Sequence, residues 1–119
     1  MNFTYSIVKQ DLIHILNLEG ELIESSQASS LVQDLDKLIL NNQNRFIINL
    51  ANLKYMNSSG LNILIQILTK SRKSGGEAIM TNVEPRIKNL LIITKLNTIF
   101  EISSSIENAT EKMNKLIEN

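Results

Sequence analysis

The sequence predicts an α/β fold in a single domain, with the element order ββαβαβαβα. The chain has 119 residues, of which 43% are hydrophobic and 20% are charged, and this size and composition are typical of one globular domain. The run Phe46-Ile47-Ile48-Asn49-Leu50, bounded by polar residues, is typical of a strand buried on both faces of a sheet. Segments with strand and helix periodicity alternate along the rest of the chain. Such alternation requires crossover connections, so we expect residues 1–119 to form a mixed sheet covered by helices.

The first two elements are predicted to be strands joined as a hairpin. Alternating side chains over residues 3–8 indicate a half-buried strand, and residues 12–18 form a more apolar second strand. Gln10-Asp11 is a plausible tight turn between them, and Gly20 is expected to close the second strand.

A helix follows the hairpin, because apolar residues recur at spacings of three and four from Ala28 to Ile39. Ser25 or Ser26 can cap its start, and the polar run at residues 41–44 is expected to end it.

The remaining elements follow the strand of residues 46–50 with the same alternation. They are, in order, a helix from residue 58 to about Ser74 ended by Gly75-Gly76, a strand at residues 78–80, a helix begun by Pro85, a short strand at residues 98–102, and an amphipathic helix from Ile106.

Composition argues against several classes of function. Lys plus Arg equals Asp plus Glu at 12 each, so the formal net charge is zero and no basic footprint for nucleic acid is expected. The absence of cysteine removes thiol chemistry and thiolate metal sites. The apolar runs are too short to span or insert into a membrane, and the start of the chain does not resemble a signal peptide. We therefore expect a cytoplasmic protein.

The segment LKYMNSSGLNILIQIL, residues 53–68, combines an extended apolar stretch, two serines and the start of a helix. At 100° per residue, one helix face is apolar and another is almost uncharged. The apolar face holds Leu61, Leu64, Ile65 and Leu68, and the polar face holds Ser58, Asn62, Gln66, Thr69 and Lys73. Ile63 and Ile67 lie at the margin of the apolar arc.

The hydroxyls of Ser58 and Ser59 are candidates for four roles. A nucleophilic serine needs a base and an oxyanion hole. Met56 replaces the first glycine of the G-x-S-x-G motif. The only histidine, His14, lies on an early strand, where a solvated or satisfied imidazole is expected. A nucleotide cradle needs G-K-[ST], which is missing. A helix cap is compatible with the residues, and so is a regulatory phosphoserine, because helix N-termini favour phosphate. These last two roles remain open on local chemistry.

The course of the chain from Ile47 to Phe100 resembles the STAS domain of bacterial anti-sigma factor antagonists. In that family, D-[ST]-[ST]-G-[LIVM] opens a helix after an apolar strand, and residues 57–61 (NSSGL) match four of those five positions. Further matches are Leu18-Glu19-Gly20-Glu21-Leu22, Gly75-Gly76, Pro85-Arg86-Ile87 and Thr94-Lys95-Leu96.

The resemblance implies a single STAS-like domain without enzymatic activity or cofactor. Such a domain binds an anti-sigma factor, usually a serine kinase, and so frees a sigma factor. The kinase would phosphorylate Ser58, with Ser59 as the second choice, and a PP2C-like phosphatase would reverse this. The implied partner-binding residues are Asn57, Ser58, Ser59, Gly60, Asn62, Ile63 and Gln66. No metal site is implied, and we expect a monomer or weak homo-oligomer.

Asn57 departs from the family pattern, which has an acid at this position. Asparagine keeps the ability to cap a helix but lacks the charge. If the acid orients the serine or engages the kinase, we expect phosphorylation to be slower or regulated otherwise. The alternative function is a constitutive STAS scaffold or adaptor in a stress-signalling or transporter complex, with Ser58 acting only as a helix cap.

Overall fold

The computed structural model describes residues 2–118 and confirms the predicted order of strands and helices. The strands are β1 (Phe3–Gln10), β2 (Ile13–Leu22), β3 (Arg45–Met56), β4 (Glu77–Thr81) and β5 (Glu101–Ser103). The helices are α1 (Ser29–Leu40), α2 (Ser58–Lys73), α3 (Pro85–Ile93) and α4 (Ile106–Glu118), and two 3₁₀ turns span Ser25–Ala28 and Leu96–Thr98.

The five strands form one mixed sheet in the order β1-β2-β3-β4-β5. β1 and β2 are antiparallel, as a hairpin requires, and the other three pairings are parallel. Connections between parallel strands are right-handed crossovers. From β2 to β5, each new strand joins the same edge of the sheet, so the helices of these crossovers lie on the same face. Helices α1, α2 and α3 therefore cover one face of the sheet and α4 covers the other.

The two faces have separate apolar cores. The larger core lies between the sheet and α1, α2 and α3. The smaller core lies beneath α4 and contains Ile13, Ile15, Ile47, Ile79, Ala109 and Met113. The central strand β3 contributes side chains to both cores, and this burial on both faces explains its continuous apolar run.

Four of the five strands are longer than predicted, β2 and β3 by the most. β2 does not end at Gly20 but continues to Leu22, with Gly20 paired to Phe3. Gly20 has φ of 94°, and a Cβ there would lie 2.0 Å from the carbonyl oxygen of Asn2, so glycine serves the close approach of two strands. β3 continues from the predicted run as far as Met56.

The predicted strand at residues 98–102 is wrong in its first half. Lys95 has φ of 64°, which turns the chain at the end of α3, and the 3₁₀ turn Leu96–Thr98 follows. The strand begins only at Glu101.

The predicted cap of the first helix is also wrong. Ser25 and Ser26 lie inside the 3₁₀ turn that precedes α1, and the amide of Gln27 holds that turn instead. Its Oε1 accepts hydrogen bonds from the backbone N–H of Ile23 at 2.9 Å and of Glu24 at 3.0 Å, and its Nε2 donates to the carbonyl of Glu21 at 3.2 Å.

Candidate functional site

Asn57 joins the end of β3 to α2 and caps that helix. Its Oδ1 accepts hydrogen bonds from the backbone N–H of Ser59 at 3.0 Å and of Gly60 at 3.2 Å. Its Nδ2 donates to the carbonyl oxygen of Ile23 at 3.0 Å, just beyond β2. The prediction that asparagine retains the capping role is confirmed. The same amide also holds the head of α2 against the end of β2, which a carboxylate could not do, because an ionised carboxylate has no donor.

The two serines are therefore not the caps of α2. They occupy its first two helical positions, with the Ser58 side chain exposed and Ser59 half-buried. The helix-cap hypothesis for Ser58 is wrong, because Asn57 supplies that cap. This leaves the Ser58 hydroxyl at the exposed head of a 16-residue helix.

Gly60 lets α2 approach the end of β2 closely. A Cβ at this position would lie 2.4 Å from the carbonyl oxygen of Leu22 and 2.8 Å from the Cβ of Met56. Gly60 is buried. It therefore serves the packing of α2 against β2, and its predicted contact with a partner stays a prediction.

The predicted polar face of α2 is exposed at Ser58, Asn62 and Gln66. Ile63, predicted to lie at the margin of the apolar arc, is only 2% exposed and belongs to the core, and its contact with a partner stays a prediction. The reason is that α2 packs against β3, β4 and α1 and buries a wider arc than its four-residue apolar stripe suggested.

The charges along α2 fit its dipole. The first turn carries no acidic side chain, and the last turn carries Lys70, Arg72 and Lys73. Lys70 also pairs with Asp36 of α1 at 2.9 Å. The positive end of the helix at Ser58 thus has no carboxylate in its first turn to compensate it.

His14 lies far from the serines and cannot act as their base. His14 pairs with Phe46 at the start of β3, whereas Met56, two residues before Ser58, ends that strand. Ten residues separate Phe46 from Met56, which corresponds to about 33 Å at ~3.3 Å per residue. Contrary to the expectation of a solvated or satisfied imidazole, His14 is buried, and its Nδ1 has no hydrogen-bond partner within residues 2–118. Burial, aided by the charge of Lys9, lowers the pKa of His14 below its usual value.

The segment that supports the head of α2 was missed at the level of sequence. Gln27 fixes the N–H of Ile23, and Asn57 binds the carbonyl of the same residue. The spacing of Glu24 and Gln27, an acidic residue followed three positions later by glutamine, was the available signal of a capping box.

Residues 2–118 contain no group of three or more metal-ligating side chains placed to hold an ion. None of the helices in the same range is long and apolar enough to cross a membrane.

The mixed sheet, its one-sided crossover helices and the capped serine pair define a small α/β domain with a strand–polar turn–helix junction. The family model described as "STAS domain" matches residues 4–109. The chain belongs to the STAS domain family, and the resemblance noted in its motifs is confirmed.

Two relatives match this sequence over most of their own length. BtrV of Bordetella bronchiseptica is 26% identical over 101 residues, which cover 85% of this chain and 86% of that protein. The anti-sigma F factor antagonist of Paenibacillus polymyxa is 28% identical over 115 residues, which cover 95% and 97% of the two chains.

Among solved structures, the Bacillus cell fate determinant SpoIIAA in its phosphorylated form superposes with a TM-score of 0.69, at 19% identity over 93% of this chain and 98% of the other. The unphosphorylated form of the anti-sigma factor antagonist SpoIIAA gives a TM-score of 0.70, at 17% identity over 99% and 100% of the two chains.

Proposed function

We propose that this protein is an anti-sigma factor antagonist, a non-enzymatic switch that binds an anti-sigma factor serine kinase and is released by phosphorylation of Ser58. The observation that carries the proposal is the position of Ser58, whose side chain is exposed at the first position of α2 while Asn57 supplies the cap. The hydroxyl is thereby available to a kinase without any loss of helix capping.

A phosphate on Ser58 would be tolerated by the fold. It would bring about −1.5 to −2 charges to the positive end of α2, where the first turn has no acidic side chain. Asn57 is neutral, so the new charge would meet no carboxylate at the cap position. In this chain, the departure from the family acid therefore favours the phosphorylated state electrostatically.

The same phosphate would alter the surface that a partner sees. Ser58 is followed along the exposed face of α2 by the uncharged side chains of Asn62 and Gln66, with Ser59 and Asn57 half-buried beside it. A partner complementary to this neutral face would meet a dianion at its end, and an acidic partner surface would be repelled. A PP2C-like phosphatase would restore binding, and the whole cycle would operate in the cytoplasm.

The relatives support this assignment by name. The Paenibacillus polymyxa relative is an anti-sigma F factor antagonist, and SpoIIAA has been solved both with and without phosphate. Ser59 is the second candidate acceptor, and its half-buried position makes it less accessible than Ser58.

Phosphorylation with an anti-sigma serine kinase of the same organism tests the proposal. The wild-type chain and the variants Ser58→Ala and Ser59→Ala would be incubated with kinase and MgATP, and their intact masses measured. We expect one phosphoryl group on the wild type and on Ser59→Ala, and none on Ser58→Ala. Absence of phosphate from the wild type, despite a stable complex with the kinase, would favour the constitutive scaffold or adaptor.

A further inference from the structure

An apolar cavity of about 240 Å³ lies beside the head of α2, between the carboxyl end of β3 and α3. Its walls include Tyr55 and Met56 from β3 and Ile87 and Ile93 from α3. Arg86 provides the one charged side chain among the residues that line it. The cavity is smaller than the roughly 300–1,000 Å³ of most small-molecule sites, so its volume suits a single large side chain.

The mouth of the cavity is bordered by exposed apolar side chains. Tyr55 is 43% exposed and Ile93 is 78% exposed, and the neighbouring Ile92 is half exposed. Tyr55 and Ile93 both line the cavity and remain exposed, so apolar surface is open to solvent at its mouth, as is typical of interaction sites.

The cavity adjoins the proposed phosphorylation site. Met56 forms part of its wall and lies two residues before Ser58, so their Cα atoms are at most about 7.6 Å apart, two steps of ~3.8 Å along the backbone. A partner that covers Ser58 therefore needs only a small additional interface area to contact the cavity.

The exposed face of α2 cannot by itself supply the apolar centre that protein interfaces require. Its exposed residues Ser58, Asn62 and Gln66 are polar, and Ile63 is buried in the core. Binding energy in interfaces is concentrated in a few well-packed apolar or arginine anchors surrounded by polar contacts. The cavity offers both kinds of anchor next to that face.

The charge of Arg86 indicates which polar group a molecule bound in the cavity would carry beside its apolar side chain. Among residues 2–118, the ion pair at this end of the sheet joins Lys54 to Glu84 at 3.2 Å, and no carboxylate lies within 4.0 Å of the Arg86 guanidinium. Its charge is thus available to a carboxylate of a bound molecule.

We propose that this cavity is the anchor point for the anti-sigma factor kinase. One large apolar side chain of the kinase enters between Tyr55 and Ile93, and a neighbouring carboxylate of the kinase pairs with Arg86. This inference rests on the proposed function, because it takes its partner from there.

The test measures the affinity of the unphosphorylated chain for the kinase that phosphorylates it, by titration calorimetry with a non-hydrolysable ATP analogue. The informative variants are Ile93→Asp and Arg86→Glu, and the matched control is Leu40→Asp, because Leu40 is 83% exposed at the end of α1, away from the cavity. We expect the dissociation constant to rise at least about tenfold for both cavity variants and less than about twofold for the control. Melting curves of all three should match the wild type, since none of the altered side chains is buried.

Each outcome decides between the two proposals. If the kinase binds Ile93→Asp and Arg86→Glu as tightly as the wild type, the anchor is wrong and the proposed function stands. If the kinase does not bind the wild type, the proposed function fails and the anchor fails with it. A dimer of the wild type that dissociates on Ile93→Asp, without a change in kinase affinity, would assign the cavity to a second copy of the chain and overturn the proposal.

Discussion

The serine pairs Ser25-Ser26 and Ser58-Ser59 each lie at the start of a helical segment, and they differ in what their hydroxyls are free to do. Ser25-Ser26 lie in a four-residue 3₁₀ turn held by Gln27, and Ser58-Ser59 begin a 16-residue helix capped by Asn57. In both places an amide side chain satisfies the backbone, so neither pair acts as a cap. Of these two pairs, only Ser58-Ser59 lies at the positive end of a long helix, and the exposed residues nearest that end, Ser58, Asn62 and Gln66, are uncharged.

The two regions are nevertheless linked through one residue. The N–H of Ile23 donates to Gln27, and its carbonyl accepts from Asn57. The end of β2 thus fixes both helical starts, and the roles of the amides and the hydroxyls can be separated by substitution.

The largest effect is expected from Gly60→Ala at the head of α2. The added Cβ would lie 2.4 Å from the Leu22 carbonyl, so α2 must shift, and we expect unfolding free energy to fall by about 3 kcal/mol. Urea denaturation measures this loss.

Gly75→Ala is the control for Gly60→Ala. A Cβ at Gly75 would have no other atom within 4 Å. We therefore expect the unfolding free energy to fall only by about 1 kcal/mol, because alanine would have to adopt a φ of 87°. Equal losses for the two variants would show that the approach of α2 to β2 is not tight.

Removal of the α2 cap is expected to have the next largest effect. Asn57→Ala removes the acceptor of two backbone N–H groups and the donor to the Ile23 carbonyl, and should cost about 2 kcal/mol, whereas Ser58→Ala should stay within about 0.5 kcal/mol of the wild type. Denaturant titration of the pair tests the assignment of the cap.

Asn57→Asp refines this comparison, because it keeps the acceptor and removes the donor to Ile23. We expect a loss of about 1 kcal/mol at neutral pH, after a favourable dipole term offsets part of the missing bond. A variant more stable than the wild type would show that the link to Ile23 contributes little.

The smallest effect is expected in the first region. Gln27→Ala removes three hydrogen bonds of a half-buried amide at a short turn, and should cost about 1 kcal/mol. Ser26→Ala should leave the unfolding free energy unchanged, as measured in the same titrations. A larger loss of unfolding free energy for Ser26→Ala than for Gln27→Ala would show that the serine, and not the glutamine, caps this turn.

The order of the elements was predictable because hydrophobic periodicity and turn residues both signal it. The apolar run of β3, Pro85 at the start of α3 and the glycines after α2 each marked an element correctly. The ends were less predictable. β2 continues through Gly20 because its neighbour β1 closes over that residue, and β5 starts late because Lys95 turns the chain, and neither effect is visible in local composition.

The site was predictable in its location but not in its contacts. The NSSG sequence correctly marked the junction of β3 and α2, and Asn57 was correctly given the ability to cap. The burial of Ile63 depends on how many elements pack around α2, and the bond of Asn57 to Ile23 joins residues 34 positions apart. Such contacts follow from the tertiary arrangement, which the sequence of the junction alone does not contain.

We propose that phosphorylation at Ser58 changes binding without changing the fold, and Ser58→Asp provides the decisive test. The measurement pairs the affinity for the anti-sigma kinase with the melting temperature, and uses Ser26→Asp as the matched control in the other serine pair. We predict that Ser58→Asp weakens binding at least about tenfold while its Tm stays within about 2 °C of the wild type, and that Ser26→Asp retains wild-type affinity. Equal affinity of Ser58→Asp and the wild type would contradict the account.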